Sequence, residues 1–93
     1  MITENTYFDG SVKSLGYENQ DGKSTVGVIA PGEYEFGTAQ QEMMHVIEGT
    51  LTVLLPEAKQ WETYASGTKF TIAANASFKV KANEPTAYLC QYR

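Results

Sequence analysis

Histidine and cysteine each occur once among the 93 residues. The single cysteine, Cys90, excludes an internal disulfide and fits a reducing compartment. The single histidine, His45, leaves too few imidazoles for an ordinary non-haem metal site, which draws several nitrogen and carboxylate ligands to one face. Cations are scarce too: seven Lys and Arg stand against eleven Asp and Glu, a net charge of −4. That balance argues against a broad surface for nucleic-acid polymers or anionic membranes, yet leaves enough cations to gather around one anion. No apolar run approaches the ~20 residues of a membrane-spanning helix. The N-terminal MITENTYFDG lacks the basic and apolar regions of a secretory signal, so the expected location is the cytoplasm. Sustained helical periodicity is missing as well, and Pro56 to Trp61 has room for one helical turn at most.

What the chain does have is alternation of period two, punctuated by glycine and proline. Pro31-Gly32 launches a short alternating run, Tyr34 to Phe36, and a polar connector, Gly37 to Gln41, leads to a second, Glu42 to Glu48. Gly49-Thr50 then reverses the chain into the apolar strand Leu51 to Leu55, which Pro56 ends. Further strands are expected at Ser11 to Tyr17, read as an edge, and at Ser24 to Ala30 after an Asp21-Gly22 hairpin turn. Trp61 to Ala65, Lys69 to Ala73, Ser77 to Ala82 and Thr86 to Arg93 complete the set, whereas Thr6 to Gly10 reads as aromatics beside a turn. Eleven Tyr, Phe and Trp residues supply large units of burial. The expected fold is all-β, a single domain built as a small double-sheet β-barrel of the jelly-roll type.

Glu42 is the residue out of place, a carboxylate at the head of an apolar strand face. Six residues separate it from Gly49; Pro31-Gly32 lies upstream, and GTKFTIAANASFKV forms a second block from Gly67. This spacing resembles the two motifs of cupins, whose metal-binding members place two histidines before the Glu and a third in the second block. Here the corresponding positions hold Glu35 with Gly37, or Phe36 with Thr38, and Phe78. The resemblance implies a cupin barrel without the usual metal ligands, its register turning Glu42 inward.

If Glu42 faces inward, so do Met44 and Val46, while His45 joins Met43 and Ile47 on the outer face, at a sheet or dimer surface. Tyr34, Phe36 and Thr38 share one face by the same rule, as do Phe78 with Val80, and Tyr88 with Cys90 and Tyr92. Cys90 reads as a small buried hydrophobe.

The longer pattern is more specific. Tyr7-Phe8, Val12-Lys13-Ser14, Val26-Gly27-Val28, Gly32-Glu33-Tyr34, Val53-Leu54-Leu55-Pro56, Glu84-Pro85-Thr86 and Tyr88-Leu89-Cys90 run nearly end to end. Together they resemble the pyrimidine/purine nucleoside phosphorylases, small one-domain cupins. The resemblance implies phosphate-dependent cleavage of purine and pyrimidine nucleosides to free base and α-D-ribose 1-phosphate. It also implies a homodimer and no cofactor or metal beyond phosphate as co-substrate.

That reaction assigns expected roles. Glu42 would accept hydrogen bonds from ribose hydroxyls and stabilise positive charge developing on the sugar, with the Tyr34 hydroxyl orienting it or donating to substrate. Phe36, Thr38, Met44, Phe78 and Tyr88 are expected to contact the nucleoside, aromatic stacking accounting for tolerance of different bases. Phosphate is expected on Arg93, Lys79 and Ser77, drawn from a wider set with Lys13, Lys81 and Thr38. Two other readings share these residues: a non-catalytic sugar- or nucleotide-binding module, and a metal cupin using Glu42 with unusual ligands such as Glu35.

Overall fold

The computed structural model describes residues 1–93 as ten strands in two antiparallel sheets. They are β1 (Thr3–Tyr7), β2 (Val12–Asn19), β3 (Gly22–Ile29), β4 (Gly32–Gly37), β5 (Glu42–Glu48), β6 (Thr50–Leu54), β7 (Glu62–Ala65), β8 (Lys69–Ile72), β9 (Ser77–Ala82) and β10 (Thr86–Tyr92). The larger sheet runs β1-β2-β3-β10-β5-β8 and the smaller β4-β9-β6-β7. Their inner faces enclose a core that includes Val12, Ile29, Met44, Val46, Leu51, Val53, Ile72 and Val80. Alternation builds this core directly: in β9, buried Phe78, Val80 and Ala82 alternate with exposed Ser77 and Lys79 and part-exposed Lys81.

The structure departs from the sequence pattern in three places. TENTY forms a strand although it buries nothing fully, because its backbone pairs with β2 from Thr3↔Gly16 to Tyr7↔Val12. The segment expected as an edge, β2, therefore lies inside the sheet, between β1 and β3. Gly49 does reverse the chain, at φ 99°, but it carries it from one sheet to the other. β5 pairs with β10 and β8, and β6 with β9 and β7, so the two strands at the centre of the sequence are not partners. No helix forms between Pro56 and Trp61; a 3-10 turn sits instead at Phe8–Gly10.

The crossings between sheets position the site. Where β3 passes to β4, the Tyr34 hydroxyl donates to the Ala30 carbonyl at 2.8 Å. Where β4 passes to β5, Thr38 Oγ1 donates to the Ala73 carbonyl at 2.7 Å and accepts from Ala76 N–H at 3.0 Å. That hydroxyl clasps the connector to the β8–β9 turn, satisfying backbone groups that neither sheet pairs.

Candidate functional site

A cavity of about 460 Å³ opens between the inner faces, within the roughly 300–1,000 Å³ range of small-molecule sites. Its two sides differ in chemistry. The larger sheet supplies Glu42 and Met44 from β5, Tyr88, Cys90 and Tyr92 from β10, and Ser14 from β2. The smaller sheet supplies Phe36 from β4 with Phe78 and Val80 from β9, and Tyr7 and Phe8 close the end.

The second side is an aromatic wall. Phe36 stacks on Phe78, ring centroids 5.8 Å apart and planes at 29°. Phe8 meets Phe36 edge-on at 5.4 Å, and Tyr7 meets it edge-on at 6.2 Å. Phe8 and Asp9 hold φ of 51° and 55°, the left-handed region that L-residues rarely occupy. Such backbone strain persists only where surrounding contacts hold it, here the packing of the Phe8 ring on Tyr34 and Phe36.

The first side is polar and poorly solvated. Glu42 is half-buried, and desolvation raises its carboxyl above the usual 4.5, the Cys90 hydrogen bond opposing that shift. The Cys90 thiol donates to Glu42 Oε1 at 3.4 Å; burial and the Glu42 charge push its own pKa up, so it stays protonated. Burial lifts the Tyr88 phenol to about 12 and pushes Tyr92 up as well, leaving both as neutral hydroxyls. Tyr92 shares a hydrogen bond with Thr25 Oγ1 at 3.3 Å.

A carboxylate among neutral hydroxyls, facing stacked rings, suits a ligand with a flat apolar end and a hydroxylated end that gains positive charge.

Of the residues expected to act, Glu42, Phe36, Met44, Phe78 and Tyr88 line this cavity together. Tyr34 does not: its hydroxyl is committed to Ala30 and its ring supports Phe8 from behind. Thr38 is spent on the Ala73–Ala76 turn. Ser77 and Lys79 alternate with inward Phe78 and Val80 and so face outward. Arg93 lies past the end of β10, its guanidinium donating to the Lys23 carbonyl at 2.7 Å and the Tyr92 carbonyl at 3.1 Å.

His45 sits on the outer face, its Nε2 2.9 Å from Gln91 Oε1. Glu35 stands opposite outward Lys79 in the β4–β9 register yet lines the cavity with Glu42, and no third His, Cys, Asp or Glu joins them in a group that could hold a metal. Sequence reasoning missed Tyr7, Phe8 and Ser14. Tyr7 and Phe8 are adjacent aromatics just before a turn, a signal that was there to follow; Ser14 carries none.

The family model described as pyrimidine/purine nucleoside phosphorylase matches residues 2–92. A protein of that name from Pseudomonas syringae pv. syringae is 55 % identical over 93 residues, covering 100 % of both chains. A crystal structure of a protein of unknown function from Vibrio parahaemolyticus superposes with a TM-score of 0.94 at 48 % identity, covering 100 % of this chain and 99 % of the other. An ethanolamine utilization protein Q from Salmonella typhimurium shares the fold alone, with a TM-score of 0.75 at 15 % identity over 99 % and 93 % of the two chains. With the cupin-type double sheet, the Glu42 cavity and end-to-end similarity in agreement, the chain belongs to the pyrimidine/purine nucleoside phosphorylase family.

Proposed function

We propose that this protein cleaves purine and pyrimidine nucleosides with inorganic phosphate, releasing free base and α-D-ribose 1-phosphate. The observation that carries the reading is Glu42, a partly desolvated carboxylate set across the cavity from the Phe36–Phe78 stack. The base lies against the rings, whose faces accept any base because stacking needs no edge contacts. The ribose then sits over Glu42, Tyr88 and Tyr92. As the N-glycosidic bond breaks, its electron pair leaves with the base nitrogen, which takes up the proton that the attacking phosphate gives up. Positive charge spreads over C1 and the ring oxygen, where the Glu42 carboxylate stabilises it. A phosphate oxygen forms the new bond to C1 from the face opposite the base, giving the α-anomer.

This chemistry needs no metal, and no imidazole lines the cavity beside Glu42. The protein works in the cytoplasm, in keeping with its one buried free thiol.

The test is incubation of pure protein with uridine or adenosine, with and without phosphate, followed by chromatography of the base and chelator controls. Base release that depends on phosphate and survives chelator is expected. Stabilisation by nucleoside without turnover would mean a binding module instead.

The assembly we propose is a homodimer through the outer face of the larger sheet. There Leu15, Val26, Val28 and Ile47 are each at least 40 % exposed, and Leu15, Val26 and Leu89 form one cross-strand row. A two-fold axis pairs this apolar patch with itself, which is the commonest way for small chains to bury such a face. Val28→Glu is expected to halve the mass measured by sedimentation equilibrium. A wild-type monomer, or a variant that remains dimeric, rules the face out.

A further inference from the structure

Phosphorolysis leaves the phosphate without a cation in the main cavity, where the only formal charges are the carboxylates Glu35 and Glu42. A second cavity, of about 350 Å³, shares Tyr7 and Tyr92 with the first, and Asn5, Thr25, Glu18 and Lys23 are among its lining. Strand register explains how Lys23 comes to be there. Glu18↔Lys23, Lys23↔Tyr92 and Tyr92↔Glu42 are successive cross-strand partners on β2, β3, β10 and β5. Residues directly opposite one another project from the same face, so Lys23 shares the inner face with Glu42, two strand spacings or ~10 Å away. Its ammonium lies 5.9 Å from the Tyr92 ring centroid.

The other cations are disposed differently. Lys13, Lys69, Lys79 and Lys81 alternate with the buried residues Val12, Phe70, Phe78, Val80 and Ala82, and so point out of the barrel. Lys59 is on the β6–β7 connection, and Arg93, which follows the last strand beside Lys23, has its guanidinium committed to the Lys23 and Tyr92 carbonyls.

From this we infer that Lys23 is the phosphate-binding residue of the site, with the Asn5 amide and Thr25 hydroxyl beside it as polar partners. The inference rests on the phosphorolysis reading. The geometry of the reaction agrees: attack opposite the departing base requires phosphate on the side of the sugar away from the aromatic wall, and Lys23 belongs to the opposite sheet. The Glu18 carboxylate, facing Lys23 from β2, repels a dianion and weakens the subsite.

Steady-state kinetics with inorganic phosphate as the varied substrate tests this. Lys23→Ala is expected to raise the phosphate KM by about tenfold or more, the loss of one charge-assisted contact, with nucleoside KM within about twofold. Glu18→Gln should lower the phosphate KM, and Lys79→Ala, facing outward, should change nothing. A second readout is thermal: inorganic phosphate should raise the Tm of wild type and not of Lys23→Ala. An unchanged phosphate KM, or a phosphate-induced Tm shift that survives in Lys23→Ala, overturns the assignment. Wild type that shows the Lys23-dependent shift without turnover keeps the subsite and removes phosphorolysis. Wild type showing neither removes both.

Discussion

Glu42→Gln will give a protein at least as stable as the wild type at neutral pH and slower in phosphorolysis by about a hundredfold or more. The rate loss follows from removing the one anion that faces the developing positive charge; deletion of a single preorganised electrostatic contact typically lowers kcat by about 10²–10³. Glutamine keeps an oxygen to accept the Cys90 thiol, so the local hydrogen bond survives. The stability change has the opposite sign. Burial raises the folded-state pKa of Glu42, so its ionisation opposes folding. Below the unfolded pKa both states are protonated and no penalty exists. The penalty accrues as pH rises through the folded-state value and is complete above it. The Tm advantage of the glutamine variant should therefore be largest near pH 8 and fade towards pH 4. Wild-type kcat/KM for nucleoside should fall as pH drops through the raised pKa, and the variant should lack that limb. Calorimetry across pH together with a pH–rate profile checks both halves. A variant with near-wild-type rates removes Glu42 from the chemistry, and a Tm difference that ignores pH removes the desolvation argument.

The legible part of this site lay on strands that bury one face. The cupin register turns Glu42 inward, and period two then sends Met44 and Val46 with it and separates Phe78 and Val80 from Ser77 and Lys79; packing of the two sheets brings Glu42, Met44, Phe36, Phe78 and Tyr88 to one cavity. The same rule already opposed the expectation that Lys79 and Ser77 hold phosphate, because it sends them away from Phe78. Lys23 was not legible in that way. Its place on the inner face depends on the pairing of β3 with β10, a contact between residues far apart in the chain. Tyr34 and Thr38 are buried on the faces that period two predicts, but neither lines the cavity. Each hydroxyl reaches a segment outside the strands, Ala30 before β4 and Ala73 after β8, whose backbone carbonyl captures it before any ligand can. β1 was invisible because nothing in TENTY alternates; only the free edge of β2 makes it a strand.

Gly27→Ala should unfold this protein more readily and weaken nucleoside binding, although alanine is the better residue in most strands. A glycine-to-alanine change in a compatible backbone stabilises by about 0.4–1 kcal/mol through the unfolded chain. At Gly27 the surroundings reverse the sign. A β-carbon there would lie 2.6 Å from Tyr88 Oη, 2.7 Å from its Cζ and 2.7 Å from the Lys13 carbonyl oxygen. Gly27 pairs with Tyr88 on one side and Ser14 on the other, so the buried Tyr88 side chain crosses the strand where the side chain is missing. The added methyl must drive the phenol towards the cavity and push on a carbonyl fixed within the sheet. Overpacking of this kind costs about 1–3 kcal/mol, which in a domain of this size lowers Tm by about 4–8 °C per kcal/mol. The displaced phenol, a neutral donor with its pKa near 12, would enter the space meant for the sugar, so nucleoside KM should rise with the fall in Tm. A double-mutant cycle with Tyr88→Ala separates the two clashes. If the ring dominates, Gly27→Ala should be much less damaging once Tyr88 is truncated; if the Lys13 carbonyl dominates, the two effects should add. A Gly27→Ala protein with unchanged Tm and unchanged KM would show that Tyr88 has room to move, and that its position is not set by the bare backbone of β3.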